Sequence, residues 1–439
     1  MRTDTIFALA SAPGRAGVQV IRISGPDAGT ALSRLTGCPL PSPRHARLAA
    51  LRDPVTGELF DKALVLAFPG PGSFTGEDVV ELHLHGGRAV LSAATQALMG
   101  LGLRVAEPGE FSRRAFEHGK LDLTEAEAIA DLVDAETAAQ RRQALRQMEG
   151  ALGQLYDGWR HRLTRALAHL EADIDFPDED LPGGLSDAVR PVVEGLVADL
   201  SGHLADQGRG ERLRDGISIA ILGAPNAGKS SLLNAIARRD VAIVSNQAGT
   251  TRDVIEVQLD LGGYPVLLAD TAGLRDAADQ VESEGIRRAL DRAAKADLKL
   301  LVFDGSELPD PATLALADDD AILVMNKADL PGAVAPLVGR PILPLSARTG
   351  DGVPALLSAL EQAVAARYAP SGAPALTRAR HRAALEECRE NLHRALQAPL
   401  PELAAEDVRL AVRALGRITG RVDVEDLLDV IFRDFCIGK

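Results

Sequence analysis

The stretch Gly223-Ala224-Pro225-Asn226-Ala227-Gly228-Lys229-Ser230 follows directly on an apolar run at 217–222 and precedes a helix-forming run at 232–237. A strand, a glycine-bounded loop ending in Lys-Ser and a helix, in that order, make the phosphate cradle G-x-x-x-x-G-K-S. Its glycines let the backbone wrap an anion, and successive N–H groups and the helix N-terminus supply partial positive charge. Lys229 is placed to neutralise β/γ oxygens and Ser230 to ligate Mg²⁺. The surrounding pattern must then be α/β. Short apolar runs at 254–259, 266–269, 298–303, 321–325 and 342–345 alternate with helical spacing, as expected of a mostly parallel sheet covered on both faces.

Three further elements arrive in order. Asp270-Thr271-Ala272-Gly273 ends an apolar run, where a carboxylate can hold Mg²⁺ through water and a glycine N–H can sense a γ-phosphate. Asn326-Lys327-Ala328-Asp329 and Ser346-Ala347 follow two later runs. Asp329 can accept both a ring N–H and an exocyclic amine, which guanine offers and adenine does not, so GTP is favoured over ATP. Thr250-Thr251 falls where a loop can bring a hydroxyl onto Mg²⁺, with Thr251 the expected ligand. Leu274 stands where Ras-like enzymes carry a water-orienting glutamine. The candidates for that role are Glu282, with Arg252, Asp253 and Arg275 nearby.

The flanking segments read differently. Residues 1–118 alternate strand-like runs (18–23, 63–68, 79–84) with Gly/Pro turns and a helix at 90–98, an α+β pattern. Asp122 and Glu125 sit at capping-box spacing ahead of Leu123, Ala126, Ile129 and Val133, and a second apolar stripe runs from Leu152 to Leu170. Two long helices are expected there. Helical spacing returns after about residue 370. An α/β segment therefore interrupts a helical one, with two independent helical domains the alternative. The expected segments are 1–118 (α+β), 119–212 (helical), 213–369 (α/β) and 370–439 (helical).

With 48 basic and 62 acidic residues the net charge is −14, which repels a polyanion and argues against a nucleic-acid partner except near the two terminal segments. Segment 119–212 is the most acidic, with 10 basic and 19 acidic residues. No run is long and apolar enough to span a membrane, and Cys38, Cys388 and Cys436 lie too far apart for a disulfide framework or zinc knuckle, which fits a reducing cytoplasm. His83 and His85 alternate on one strand without a third metal ligand at useful spacing, and Cys436 reads as a packed thiol in preference to a site group. The acidic run 171–180 reads as a solvated loop.

Further signatures cover the whole chain: Pro13-Gly14-Arg15, Ile21-Arg22-Ile23-Ser24-Gly25, Ser73-Phe74-Thr75-Gly76-Glu77-Asp78-Val79, Pro108-Gly109-Glu110-Phe111-Ser112, Lys120-Leu121-Asp122-Leu123, and the terminal Phe435-Cys436-Ile437-Gly438-Lys439. With the phosphate-loop set, these residues resemble the MnmE (TrmE) family of bacterial tRNA-modifying GTPases. The resemblance implies an N-terminal α+β folate-binding, dimerising domain, a discontinuous all-α helical domain and an inserted α/β P-loop G domain. It extends the nucleotide site to Asn226, Ala227, Gly228, Ser231, Ser245, Asn246, Gln247, Ala248, Gly249 and Arg348. It assigns K⁺ to Asn226, Ser245, Gln247 and Thr250, and makes Glu282 and Lys229 catalytic. Arg22, Glu81, Lys120 and Lys439 are implied to bind a 5-formyl- or 5,10-methylene-tetrahydrofolate. The implied partners are tRNA, a second copy of the chain and MnmG in a heterotetramer, with FAD and NADH reaching the reaction only through MnmG. A regulatory GTPase without base chemistry, and a P-loop ATPase or kinase, are the rival readings.

Overall fold

The computed structural model describes residues 4–175, 185–239, 241–243, 256–270, 294–330, 340–369, 374–422, 425–433 and 435–438. They form two compact units. The first comprises Met1–Ala130, Gln147–Glu194 and Glu390–Lys439, and the second Asp131–Arg146 and Gly195–Arg389.

The first unit opens with β1 (Ile6–Leu9), β2 (Ala16–Ser24), α1 (Ala28–Thr36), β3 (Arg47–Arg52), β4 (Leu59–Phe68), β5 (Val79–Gly86), α2 (Arg88–Gly100), β6 (Arg104–Val105) and α3 (Glu110–Glu117). The strands form one sheet in the order β3-β4-β5-β2-β1-β6. Side chains alternate across a strand, so Ile21, Ile23, Val80, Leu82 and Val65 bury one face beneath Leu32 and Leu35 of α1 and Ala94 and Leu98 of α2. Arg22 and Glu81, one residue out of phase, lie on the opposite face and oppose one another in the β2–β5 register.

Five helices follow: α4 (Leu123–Asp134), α5 (Ala138–Met148), α6 (Ala151–Asp175), α7 (Leu185–Leu204) and α8 (Arg209–Asp215). The capping box starts α4 as its spacing predicts: the Glu125 N–H donates to Asp122 Oδ1, and the Asp122 N–H donates to Glu125 Oε2, each at 2.8 Å. The two expected helices are α4 and α6, but they are not the only ones. A separate helix, α5, lies between the two apolar stripes, closed off by Gly150 in the left-handed region (φ 82°), whose N–H bonds the Gln147 carbonyl. Helix α7 contains Pro191, and its stripe of Val189, Val193, Leu196 and Leu200 was obscured in the sequence by that proline.

In the second unit β7 (Ile217–Leu222), α9 (Lys229–Ala237), β8 (Glu256–Leu261), β9 (Tyr264–Asp270), β10 (Leu298–Asp304), α10 (Pro311–Leu314), β11 (Ala321–Asn326), β12 (Ile342–Pro344) and α11 (Val353–Tyr368) build an α/β domain. The strand order is β12-β11-β10-β7-β9-β8, all parallel except the β8–β9 hairpin. Strand β7 is buried on both faces, Ile217, Ile219 and Ile221 against α9 and α11, Ala220 and Leu222 on the other side, which is why it reads as an apolar run interrupted only by Ser218.

The chain ends in α12 (Ala379–Gln397), α13 (Pro401–Thr419) and α14 (Glu425–Arg433). Within the first unit α13 packs along α6, and Arg409–Glu171 (2.8 Å) and Arg421–Asp157 (2.7 Å) join the two segments. The helical segments on either side of the α/β insertion thus share one packed domain, which removes the alternative of two independent ones. No helix among the described residues is long and apolar enough to cross a membrane.

Candidate functional site

The phosphate loop leaves β7 at its C-terminal end and turns into α9, the position at which open α/β sheets place ligands. Gly228 caps α9 with φ 93°, and a Cβ there would come within 2.1 Å of Asn326 Nδ2, so backbone conformation and close approach both demand glycine. Gly223 is equally constrained, since a Cβ would meet the Val302 carbonyl oxygen at 2.3 Å. Lys229 is 8% exposed, and its Nζ donates to the Gly223 and Ala224 carbonyls at 2.8 and 2.9 Å. The ammonium is therefore held at the mouth of the phosphate loop. Ser230 and Ser231 begin the helix beside it, and Asn226 stands exposed on the rim with φ 65°.

Asn326 ties this loop to the segment expected to read the base. It is 3% exposed, its Nδ2 donates to the Ala227 carbonyl at 2.8 Å, and its Oδ1 accepts from the Ala347 N–H at 2.9 Å. One carboxamide thus spans the ends of β7, β11 and β12. Asp329 and Arg348 form an ion pair at 2.6 Å, and the Ser346 hydroxyl, with help from Arg348, holds the Asp329 carboxyl below its ordinary range. Asp329 is therefore an ionised acceptor. Lys327, itself in the left-handed region (φ 63°), bonds Asp304 at the end of β10. Asp304 was missed in the sequence. The signal was present, an acidic residue at the C-terminal end of a buried parallel strand.

The structure thus brings together Asn226, Ala227, Gly228, Lys229, Ser230, Ser231, Asn326, Lys327, Asp329, Ser346, Ala347 and Arg348. Ser245, Asn246, Gln247, Ala248, Gly249, Thr250, Thr251, Arg252, Asp253, Thr271, Ala272, Gly273, Leu274, Arg275, Glu282 and Lys439 lie outside the described residues, and of Asp270 only the backbone at the end of β9 is described.

A second polar cluster sits on the other face of the N-terminal sheet, where Arg22 and Glu81 are partly buried. Arg22 Nε and Nη2 donate to Glu81 Oε1 at 3.2 and 3.1 Å, and His83 approaches the other Glu81 oxygen at 3.4 Å. The Arg22 guanidinium also lies 5.5 Å from the Phe74 ring and 5.8 Å from the Phe111 ring, contacts that pattern reading missed. Lys120 donates to the Pro71 carbonyl at 2.9 Å, on the loop that carries Phe74. His85 bonds Asp61 at 2.7 Å. Among the described residues no cluster of histidine, cysteine and acidic groups has metal-binding geometry.

Beneath the cluster, Arg104 and Arg114 converge on Glu110, whose side chain is 1% exposed. Burial pushes the Glu110 carboxyl up, but Arg104, the Glu107 N–H and Arg114 outweigh it and hold the group at about 2. The terminal segment docks here. Ile437 bridges Pro108, and a Cβ on Gly438 would lie 2.2 Å from the Leu9 carbonyl oxygen. The reading of Cys436 as a packed thiol is corrected: Cys436 is exposed, and the buried side chain at this end is its neighbour Phe435.

Residues 123–436 match the family model described as the MnmE helical domain, and residues 5–120 match the one described as the GTP-binding protein TrmE N-terminus. The chain is 63% identical over 441 residues to the tRNA modification GTPase MnmE of Paramagnetospirillum magneticum, and 59% identical over 457 residues to that of Rhodospirillum rubrum. In both cases all of each chain is covered. Identity to the MnmE of Parvibaculum lavamentivorans is 59% over 442 residues, spanning 99% of this chain and all of that one.

Proposed function

Because the chain belongs to the MnmE family of tRNA modification GTPases, we propose that it binds and hydrolyses GTP and acts in the modification of tRNA. The observation that carries the nucleotide reading is the span of Asn326 from the phosphate loop to Ala347, with an ionised Asp329 beside Ser346. That carboxylate offers two acceptors to the guanine N1–H and exocyclic amine and would meet no matching donor pair on adenine. The test is Asp329→Asn. An amide NH₂ suits the C2 carbonyl of xanthine, so the variant should lose GTP by more than about tenfold and gain xanthosine triphosphate. Unchanged preference for GTP, or equal use of ATP by the wild type, would remove Asp329 from the site.

The finer reading extends this to the wobble uridine, whose C5 would receive an aminomethyl or carboxymethylaminomethyl group in a reaction shared with MnmG, which would bring FAD and NADH. Ser230 and Thr251 hold Mg²⁺. Asn226, whose exposed carboxamide on the loop rim suits a monovalent cation, holds K⁺ with Ser245, Gln247 and Thr250. K⁺ supplies positive charge against the triphosphate where other GTPases use an arginine. Glu282 positions the attacking water and Lys229 neutralises developing charge. Arg22, Glu81, Lys120 and Lys439 bind a 5-formyl- or 5,10-methylene-tetrahydrofolate as one-carbon donor. The fit is chemical: a partly buried guanidinium for the folate carboxylates and a carboxylate for the pterin amino-amide edge. The protein works in the cytoplasm as a homodimer and with MnmG as a heterotetramer, its segments divided as 1–118, 119–212, 213–369 and 370–439.

A further inference from the structure

Helix α5 is an exception in its surroundings. The segment 119–212 carries 10 basic and 19 acidic residues, yet Ala138–Met148 contains three arginines and no acid. Arg141, Arg142 and Arg146 are all exposed, and among the described residues no carboxylate pairs with any of them. At 1.5 Å rise per residue the three fall within about 8 Å along the axis, with Arg142 and Arg146 one turn apart on the same face. Like charges at that spacing oppose helix formation, so the cluster works against the fold until an anion neutralises it.

The rotation of the helix is fixed from its other side. The Ala139 N–H donates to the Gly263 carbonyl at 2.8 Å, Gln140 Nε2 to the Arg214 carbonyl at 3.0 Å, and Gln143 Nε2 to the Gly210 carbonyl at 2.9 Å. The arginines are thereby turned outward on a helix that cannot roll to hide them. Leu145 is the single exposed apolar side chain of the helix, and the opposite face is occupied by these polar contacts, so α5 lacks the broad apolar stripe that a membrane surface requires.

We propose that the outward face of α5 is a docking surface for the phosphate backbone of RNA, with Arg141, Arg142 and Arg146 as the phosphate contacts. The inference rests on the tRNA reading above and adds the place where the RNA lies. Such contacts position the RNA without reading its sequence, so their loss weakens binding uniformly and lowers its salt dependence.

The test measures binding of unmodified tRNA to the full chain across a series of KCl concentrations. It compares the wild type with R141A/R142A/R146A, with the corresponding triple lysine variant and with Arg34→Ala, an exposed arginine on α1. GTP hydrolysis serves as the check of folding. The triple alanine variant should bind at least about tenfold more weakly, with a log–log salt slope shallower by about two to three, while the lysine variant and Arg34→Ala stay near wild type. Wild-type affinity and slope in a triple alanine variant that still hydrolyses GTP would overturn the α5 surface and leave the tRNA reading standing. Failure of the wild type to bind tRNA at all would overturn both.

Discussion

Two side chains show how much rests on single residues. Asn326 satisfies a phosphate-loop carbonyl and a backbone N–H of the base-side loop from a buried position, so Asn326→Ala leaves both without a partner. A loss of about 1–3 kcal/mol in stability and at least about tenfold in GTP affinity is expected, read by denaturant unfolding and nucleotide titration. Unchanged affinity would show that the two loops hold their places without it. Glu110 makes a prediction in pH. Its folded pKa, about 2, lies below the ordinary carboxylate value, so its contribution is present above about pH 4.5 and is lost as pH falls toward 2. Glu110→Gln should therefore cost on the order of 3 kcal/mol at pH 7 and progressively less in acid, and a pH-independent difference would contradict the assignment. The phosphate-loop residues were legible because each is dictated by a local requirement on backbone or charge. Glu110 was legible only as part of a motif: its partners Arg104 and Arg114 are near in sequence, but no local pattern shows that both turn inward onto one buried carboxylate, a convergence that Asp4, 100 residues from Arg104, completes.

At the scale of elements, the buried strands were the most legible part of the molecule. Strand β7 runs 217–222 as its apolar run predicts, because it is buried on both faces and Ser218, near its start, is the one polar residue it carries. Helix α5 was not legible, since its sequence, rich in arginine and glutamine, has little apolar periodicity and its place is fixed by backbone and amide hydrogen bonds. Those bonds have a consequence. The β8–β9 turn that accepts from Ala139 joins two strands, one following the segment with Thr250-Thr251 and the other leading into Asp270-Thr271-Ala272-Gly273. Ala139→Pro deletes that one donor in the first turn of a helix, where the proline ring is tolerated. Faster amide exchange at Gly263 and Tyr264, with a stability loss of about 1 kcal/mol, is expected. Exchange at the wild-type rate would mean that the turn is held by other contacts.

For the whole molecule, net charge was a poor guide. A balance of −14 argues against a polyanionic partner, yet the chain belongs to a family named for tRNA modification, and the basic residues of α5 are concentrated in the most acidic segment. Averages over a hundred residues hide a cluster spread over six. Periodicity showed an α/β insertion between helical segments but not that those segments touch, because the contact between α6 and α13 spans more than two hundred residues of sequence. The function proposed for the molecule as a whole is that of a GTPase whose hydrolysis depends on a monovalent cation held at Asn226. Phosphate release from GTP by the full chain, in potassium and in sodium at matched ionic strength, tests it most directly. The rate should be at least about tenfold higher in potassium, and Asn226→Ala should erase the difference. Equal rates in the two salts, in a protein whose turnover Lys229→Ala still abolishes, would contradict it.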